Sequence, residues 1–400
     1  MDIYPTAAEV IRDLQVDRPV IGFRPHAAQR AARWFGDHFP GETLYAVKAN
    51  DSPDVLAALF EAGIRHFDVA SLPELQAIAA FPGAVMHVMH PVKSRRLIAE
   101  AYNDFGVRTF ALDSEAELEK IAAATGNAKD LTLIVRVACP STYSEISLEG
   151  KFGAPWSDAP ALIRRTRQSA ELLGITFHAG SQMMCPVGYG QVLRTVSQQI
   201  VRAATLVDII DVGGGFPAHY PGMEPPALES YMDEIHAAFD KMAVGYTCQL
   251  WCEPGRALVA EAESVIVRVD ARRGDTLYIN DGAFGTLYDA AHCKWIFPAR
   301  AYGAKGELMS GRAVKGFDLY GPTCDSADYL PGPFLLPEAL GEGDYIEIGN
   351  IGAYGRVMAS HFNGYGFFDE AILRDEPMLS MYAQEETSAQ PFSSVARDRR

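Results

Sequence analysis

Six stretches of this chain carry a reactive side chain where an apolar run gives out. Lys48 closes Tyr45-Ala46-Val47-Lys48, Asp68 sits in Phe67-Asp68-Val69, and Arg136 sits in Leu133-Ile134-Val135-Arg136-Val137. His178 follows in Phe177-His178-Ala179-Gly180-Ser181, Asp211-Val212 runs into Gly213-Gly214-Gly215, and Cys252-Glu253-Pro254-Gly255-Arg256 ends the last run. Singly, each has a bland reading. A lysine in an apolar strand usually snorkels from an edge, a triple glycine usually marks a tight turn, and a lone histidine is usually a satisfied interior group. Glu253 and Arg256 alone read as a salt bridge. Together they offer an amine able to capture a carbonyl, backbone amides and a guanidinium for an anion, a flat imidazole and a carboxylate.

The elements that must position these residues are readable from hydrophobic periodicity. Strands are predicted at 43–47, 67–69, 84–89, 109–112, 131–138, 174–179, 207–212 and 247–251. Helices are predicted at 52–63, from Ser71, at 94–105, from Ser114, and near 158–172, 188–204 and 226–243. Ser71-Leu72-Pro73-Glu74 and Ser114-Glu115-Ala116-Glu117 have the spacing of a capping box. Eight strands alternating with helices predict an α/β fold with a parallel sheet, closed as a (β/α)8 TIM barrel, with a doubly wound sheet as runner-up. In a barrel, chemistry gathers where strands end, and the six stretches lie there.

After Arg256 the rhythm changes to strands separated by Gly- and Pro-rich turns, at 264–269, 276–280, 314–320 and 344–348. This predicts a mainly antiparallel C-terminal β domain, completed by the first residues through Pro19-Val20-Ile21-Gly22-Phe23. The predicted domains are a barrel at 27–255, a β domain from 1–26 and 256–382, and a disordered tail at 383–400. The 35 Lys and Arg against 51 Asp and Glu leave a net charge of −16, which excludes nucleic acid as a partner. No apolar run is long enough to span a membrane, and the N-terminus lacks a signal-peptide pattern. The scattered cysteines at 139, 185, 248, 252, 293 and 324 read as thiols of a reducing cytoplasm, with no metal site. The expected location is cytoplasmic.

The combined set is what pyridoxal 5'-phosphate requires, with the carboxylate opposite the pyridine nitrogen keeping that ring protonated. The order of motifs then resembles the fold-type III pyridoxal-phosphate decarboxylases of basic amino acids, the ornithine and lysine decarboxylase group related to diaminopimelate decarboxylase. The resemblance runs from about residue 18 to 375 and rests on Tyr-Ala-Val-Lys-Ala-Asn at 45–50, Phe-Asp-Val-Ala-Ser at 67–71, His-Pro-Val-Lys-Ser at 90–94 and Lys-Phe-Gly at 151–153. It continues with His-Ala-Gly-Ser-Gln at 178–182, Gly-Gly-Gly-Phe-Pro at 213–217, Glu-Pro-Gly-Arg at 253–256, Gly-Pro-Thr-Cys-Asp-Ser-Ala-Asp at 321–328, Gly-Ala-Tyr at 352–354 and Phe-Asn-Gly at 362–364. It implies that Lys48 holds the cofactor covalently, that His178 stacks on its ring and that Glu253 pairs with its nitrogen. It further implies phosphate binding by Ser181, Gly214, Gly215, Gly255, Arg256 and Tyr354. Asp68 would support the lysine and Arg136 would support Glu253. Cys324 would face the substrate's α-carbon as proton donor, and Asp325 would meet its distal ammonium, with Tyr288, Asp289 and Phe362 completing the substrate pocket.

Cys324-Asp325-Ser326 resembles the ornithine/lysine group, whereas diaminopimelate enzymes carry Cys-Glu-Ser in this loop. The stretch before Tyr288 is several residues shorter than in typical ornithine decarboxylases. The implied reaction is decarboxylation of L-ornithine, or of L-lysine, to putrescine or cadaverine and carbon dioxide in polyamine biosynthesis. Diaminopimelate decarboxylase, an amino-acid racemase and a non-catalytic binding homologue are the alternatives. The resemblance also implies a homodimer whose Cys324 loop enters the neighbouring subunit's barrel, so that active sites are shared.

Overall fold

The computed structural model describes residues 1–14, 17–310 and 313–383. Beyond residue 383, the expected tail lies outside the described residues. Eight parallel strands close into a barrel in chain order: β1 (Glu42–Ala46), β2 (His66–Val69), β3 (Val85–Val88), β4 (Thr109–Leu112), β5 (Thr132–Arg136), β6 (Leu172–Thr176), β7 (Ile209–Asp211) and β8 (Gln249–Cys252). All eight expected strands are present, mostly shorter than the apolar runs that announce them. The barrel, not the doubly wound sheet, is the architecture.

Alternation along each strand sorts the side chains. Tyr45, Phe67, Phe110, Leu133, Ile175 and Ile210 point outward and are buried against the helices. Leu44, Met89, Ala111, Ile134, Ile209 and Trp251 form a separate apolar cluster inside the barrel. Two residues further along the same strands, the interior positions become Ala46, Arg136, Asp211 and Glu253. An apolar plug therefore underlies a charged mouth.

The helix entries follow the capping chemistry. Ser71 Oγ accepts from Glu74 N at 3.4 Å, and the Glu74 carboxylate accepts from Ala70 N at 2.6 Å. Ser114 Oγ accepts from Glu117 N at 3.3 Å, but Glu117 does not close a reciprocal box. Its Oε1 instead lies 3.0 Å from the Nζ of buried Lys93, which also donates to the His90 carbonyl at 2.9 Å. This fixes the loop that carries His90 beside the mouth.

The second unit is a nine-stranded sheet centred on the long strand Glu263–Arg273, which pairs with Val20–Phe23, Thr276–Ile279 and Tyr345–Ile348. The N-terminal strand thus completes it, as expected. Five of its pairings are antiparallel and three are parallel, so the sheet is mixed. The helix Pro25–His38, with Pro at its start, and the short strand pair Ser144–Ile146 and Ser181–Met183 were not anticipated. The final segment folds back: Tyr382 is buried and donates to the Ala257 carbonyl at 2.7 Å.

Candidate active site

A cavity of about 450 Å³ opens at the strand ends, lined by Lys48, Arg136, His178, Ser181, Arg256, Asp289 and Tyr354 and by residues of 146–152. Lys48 lies in a single 3-10 turn, Val47–Ala49, just beyond β1. Its side chain is 47 % accessible through the open cavity, and its Nζ is 3.7 Å from Asp68 Oδ2. Burial pulls the Lys48 pKa down, but Asp68, Tyr354 and Glu253 outweigh it and leave the pKa above its ordinary value. The group therefore stands as an ammonium held by Asp68.

His178 follows β6, with its Nδ1 accepting from Gly180 N at 3.3 Å. Burial first, then Lys48 and Arg136, hold its pKa well below the ordinary value. A neutral flat ring results. The glycine run makes the close approach of β6, β7 and β8 possible. Gly213 and Gly215 have φ of 68° and 104°, and a Cβ on Gly213 would stand 2.0 Å from the Phe177 carbonyl oxygen. A Cβ on Gly214 would meet His178 Nε2 at 3.1 Å.

At the base of the mouth Glu253 is buried and its Oε1 has no hydrogen-bond partner among the described residues. Burial, then Asp211 and Asp68, push its pKa well above the carboxylate range. Arg136, its expected support, lies with its guanidinium 5.4 Å from the centre of the Phe152 ring. The acid that interacts most strongly with Glu253 is Asp211, a residue visible at the strand end before the glycines but given no role from sequence.

Arg256 opens the short helix Arg256–Val259 after Gly255. One Nη donates to Tyr220 Oη at 3.0 Å and to Asp289 Oδ2 at 2.6 Å, while its buried Nε has no partner. The guanidinium carbon lies 5.1 Å from the ring centres of both Trp295 and Tyr354. Burial disfavours this charge, but Tyr220, Asp289 and Tyr354 raise its pKa regardless. Tyr220 and Trp295 were missed: nothing in their local sequence marks them, because their role is to wall the arginine from another part of the chain. Asp289, expected at the substrate, is engaged by Arg256, and Tyr288 stacks on His292 at 5.2 Å.

Pyridoxal phosphate fits these residues. A buried acceptor without a partner, Glu253 Oε1, and a buried donor without one, Arg256 Nε, match the ring-nitrogen and phosphate ends of that molecule. An amine, Lys48, and a neutral flat ring, His178, line the same cavity as Arg256. The remaining candidates are elsewhere. Cys324 and Asp325 are exposed on the sheet domain, where Cys324 N donates to Asn363 Oδ1 at 2.9 Å and Asp325 Oδ1 accepts from Ala327 N at 2.9 Å. Phe362 is 46 % accessible and packs on Phe284. None of these three lines the cavity.

Comparison with known proteins follows the same division. Residues 26–260 match the family described as pyridoxal-dependent decarboxylase, pyridoxal binding domain, and residues 257–352 match its C-terminal sheet domain. The lysine/ornithine decarboxylase of Selenomonas ruminantium is 29% identical over 369 residues, 90% of each chain. Antizyme inhibitor 2 of Xenopus laevis is 30% identical over 358 residues, 80% of this chain and 73% of that one. A crystal structure of SrLDC in complex with PLP and cadaverine has a TM-score of 0.79 at 26% identity, covering 93% of this chain and 95% of the other. Among the described residues, no helix is long and apolar enough to cross a membrane.

Proposed function

The chain belongs to the pyridoxal-dependent decarboxylases and acts on a basic amino acid, and from this premise we propose that it decarboxylates L-ornithine, with L-lysine as the second substrate. The observation that carries the reading is one cavity lined by Lys48, His178, Ser181, Arg256 and Tyr354, together with two buried atoms, Glu253 Oε1 and Arg256 Nε, that lack a hydrogen-bond partner among the described residues. Bound pyridoxal 5'-phosphate supplies the electron sink for the carbanion left when carbon dioxide departs.

The chain's own residues supply the rest. Lys48 holds the cofactor's carbonyl carbon, and Asp68 takes up the charge of its ammonium form. Ser181, the amides of Gly214, Gly215 and Gly255, Arg256 and Tyr354 bind the phosphate, and His178 packs its uncharged ring against the pyridine face. Glu253 keeps a proton at the pyridine nitrogen. Cys324 Sγ donates the proton that replaces the carboxylate at the α-carbon. Asp325 selects a cationic side chain, because an uncharged one would leave a desolvated carboxylate without a partner.

Cys324 and Asp325 are exposed in one chain, beside the accessible aromatics Phe362, Tyr365 and Phe367 at 46%, 44% and 54%. That arrangement supports a homodimer in which this face covers the partner's cavity. Ornithine and lysine differ by one methylene, worth only ~1–3 kcal/mol of discrimination. The test is carbon dioxide release from labelled ornithine, lysine, arginine and diaminopimelate. Highest kcat/KM on ornithine is expected. Preference for arginine or diaminopimelate would reject the substrate assignment, and no release with cofactor bound would favour the binding-only reading that an antizyme inhibitor among the relatives brings to mind.

A further inference from the structure

Asp68, Asp211 and Glu253 converge on the barrel mouth from the ends of β2, β7 and β8, where Lys48, Arg136 and Arg256 are the cations. Asp211 is 0% accessible, and its Oδ2, like Glu253 Oε1, has no hydrogen-bond partner among the described residues. Register places the two carboxyls on the same interior face, two residues out of step on neighbouring strands. Asp211 pairs with Trp251, whose side chain fills the barrel interior, and Glu253 lies two residues beyond Trp251 on that same face. Gly213 ties both strands, donating its N–H to Asp211 Oδ1 at 2.8 Å and accepting from Glu253 N at 2.8 Å through its carbonyl.

We propose that Asp211 is a positioning residue for Glu253: its carboxylate, standing behind Glu253 inside the barrel, strengthens the hold of Glu253 and the ring nitrogen, as a pair, on the proton they share when pyridoxal phosphate is bound. This rests on the assignment of Glu253 to that nitrogen. The surroundings are consistent with it. Burial and then mutual repulsion with Asp211 and Asp68 push Glu253 up, while Lys48 pulls it down. Burial also pushes Asp211 up, against its interaction with Glu253 and the hydrogen bond from Gly213 N to its Oδ1. Of the other groups facing the pair, Arg136 is cationic, His178 stays neutral, and burial keeps Cys252 a thiol. Two adjacent buried carboxyls cannot both ionise cheaply, so the pair carries one proton when the ring is absent. With the ring present, a negative Asp211 favours retention of that proton.

The test uses holoenzyme loaded with pyridoxal phosphate labelled with nitrogen-15 in the ring, whose chemical shift reports whether that nitrogen is protonated. Removing a like charge lowers the proton affinity of its neighbour. Asp211→Asn is therefore expected to move loss of the ring proton to lower pH by at least about one unit, and Asp211→Glu to restore it. Glu253→Gln should remove the protonated signal altogether. If Glu253→Gln leaves the signal unchanged, the Glu253 assignment falls. If Glu253→Gln abolishes it but Asp211→Asn titrates as wild type, the role of Asp211 alone falls. Should Asp211→Asn not load cofactor, the infrared difference between stripped and loaded wild-type protein decides. A protonated-carboxyl band that disappears on loading is expected, and its absence overturns the proposal.

Discussion

At the barrel mouth the reactive groups are already paired: Lys48 with Asp68, Arg256 with Asp289 and Tyr220, His178 with Gly180. Lys48, His178 and Arg256 each follow the end of a different barrel strand, and Asp289 reaches Arg256 from the helix Tyr288–Cys293. In the loop 323–328 the reactive groups are exposed, and Cys324 and Asp325 are held by local contacts to Asn363 and Ala327. The difference teaches where each function can be finished. A phosphate and a ring nitrogen need charges fixed before the ligand arrives, which one chain's barrel provides. The roles proposed for Cys324 and Asp325, protonating carbon and selecting a cation, would require water to be excluded from a loop that is exposed in one chain.

The sharpest way to break this comparison is to damage each region in a separate protein. Lys48→Ala and Cys324→Ala should each be inactive, and Lys48→Ala should lose the absorbance that borohydride otherwise abolishes by fixing the cofactor. Mixed after dissociation and reassociation, the two should recover roughly a quarter of wild-type activity by random pairing, since each mixed dimer has one intact site. Continued inactivity despite demonstrated exchange would mean that one chain completes its own site.

Glu253→Gln acts on the barrel mouth alone. Turnover should fall by about two orders of magnitude while cofactor affinity stays close to wild type, because Arg256 and the glycine amides still hold the phosphate. Titration with cofactor alongside steady-state kinetics separates the two quantities. Asp325→Ala acts on the exposed region. KM for the diamino acid should rise about tenfold with a smaller fall in kcat, and the cofactor spectrum should not change. Identical kinetics would remove Asp325 from the site. The smallest effect expected is from Tyr382→Phe, which removes the bond to the Ala257 carbonyl next to Arg256. Its cost in a urea unfolding midpoint should be about 1 kcal/mol, with catalysis little altered.

The barrel was legible because eight apolar runs alternate with helices and each reactive residue sits at a run's end. Lys48, Arg136, His178, Ser181, Arg256 and Tyr354 all line one cavity. The helix from Pro25 and the pairing of Ser144–Ile146 with Ser181–Met183 were not legible. The first follows a strand of the other domain, and the second is too short to have a period of its own. Glu117 shows the same limit at a single residue. Its spacing from Ser114 specifies a capping box, yet buried Lys93 competes for its carboxylate and wins.

By itself, the amino-acid order determined which chemistry this chain carries. Strand and helix periods are local properties, and in a closed barrel the strand ends must share one face, so Lys48, His178, Glu253 and Arg256 had to meet. Only the tertiary structure decided how those groups are charged and which are covered. Whether Glu253 faces Arg136 or Asp211, whether Asp289 is free or bound to Arg256, and whether Cys324 is enclosed depend on distances between side chains from distant segments. Coulomb energy and desolvation change steeply over those few ångströms, and no spacing along the chain encodes them.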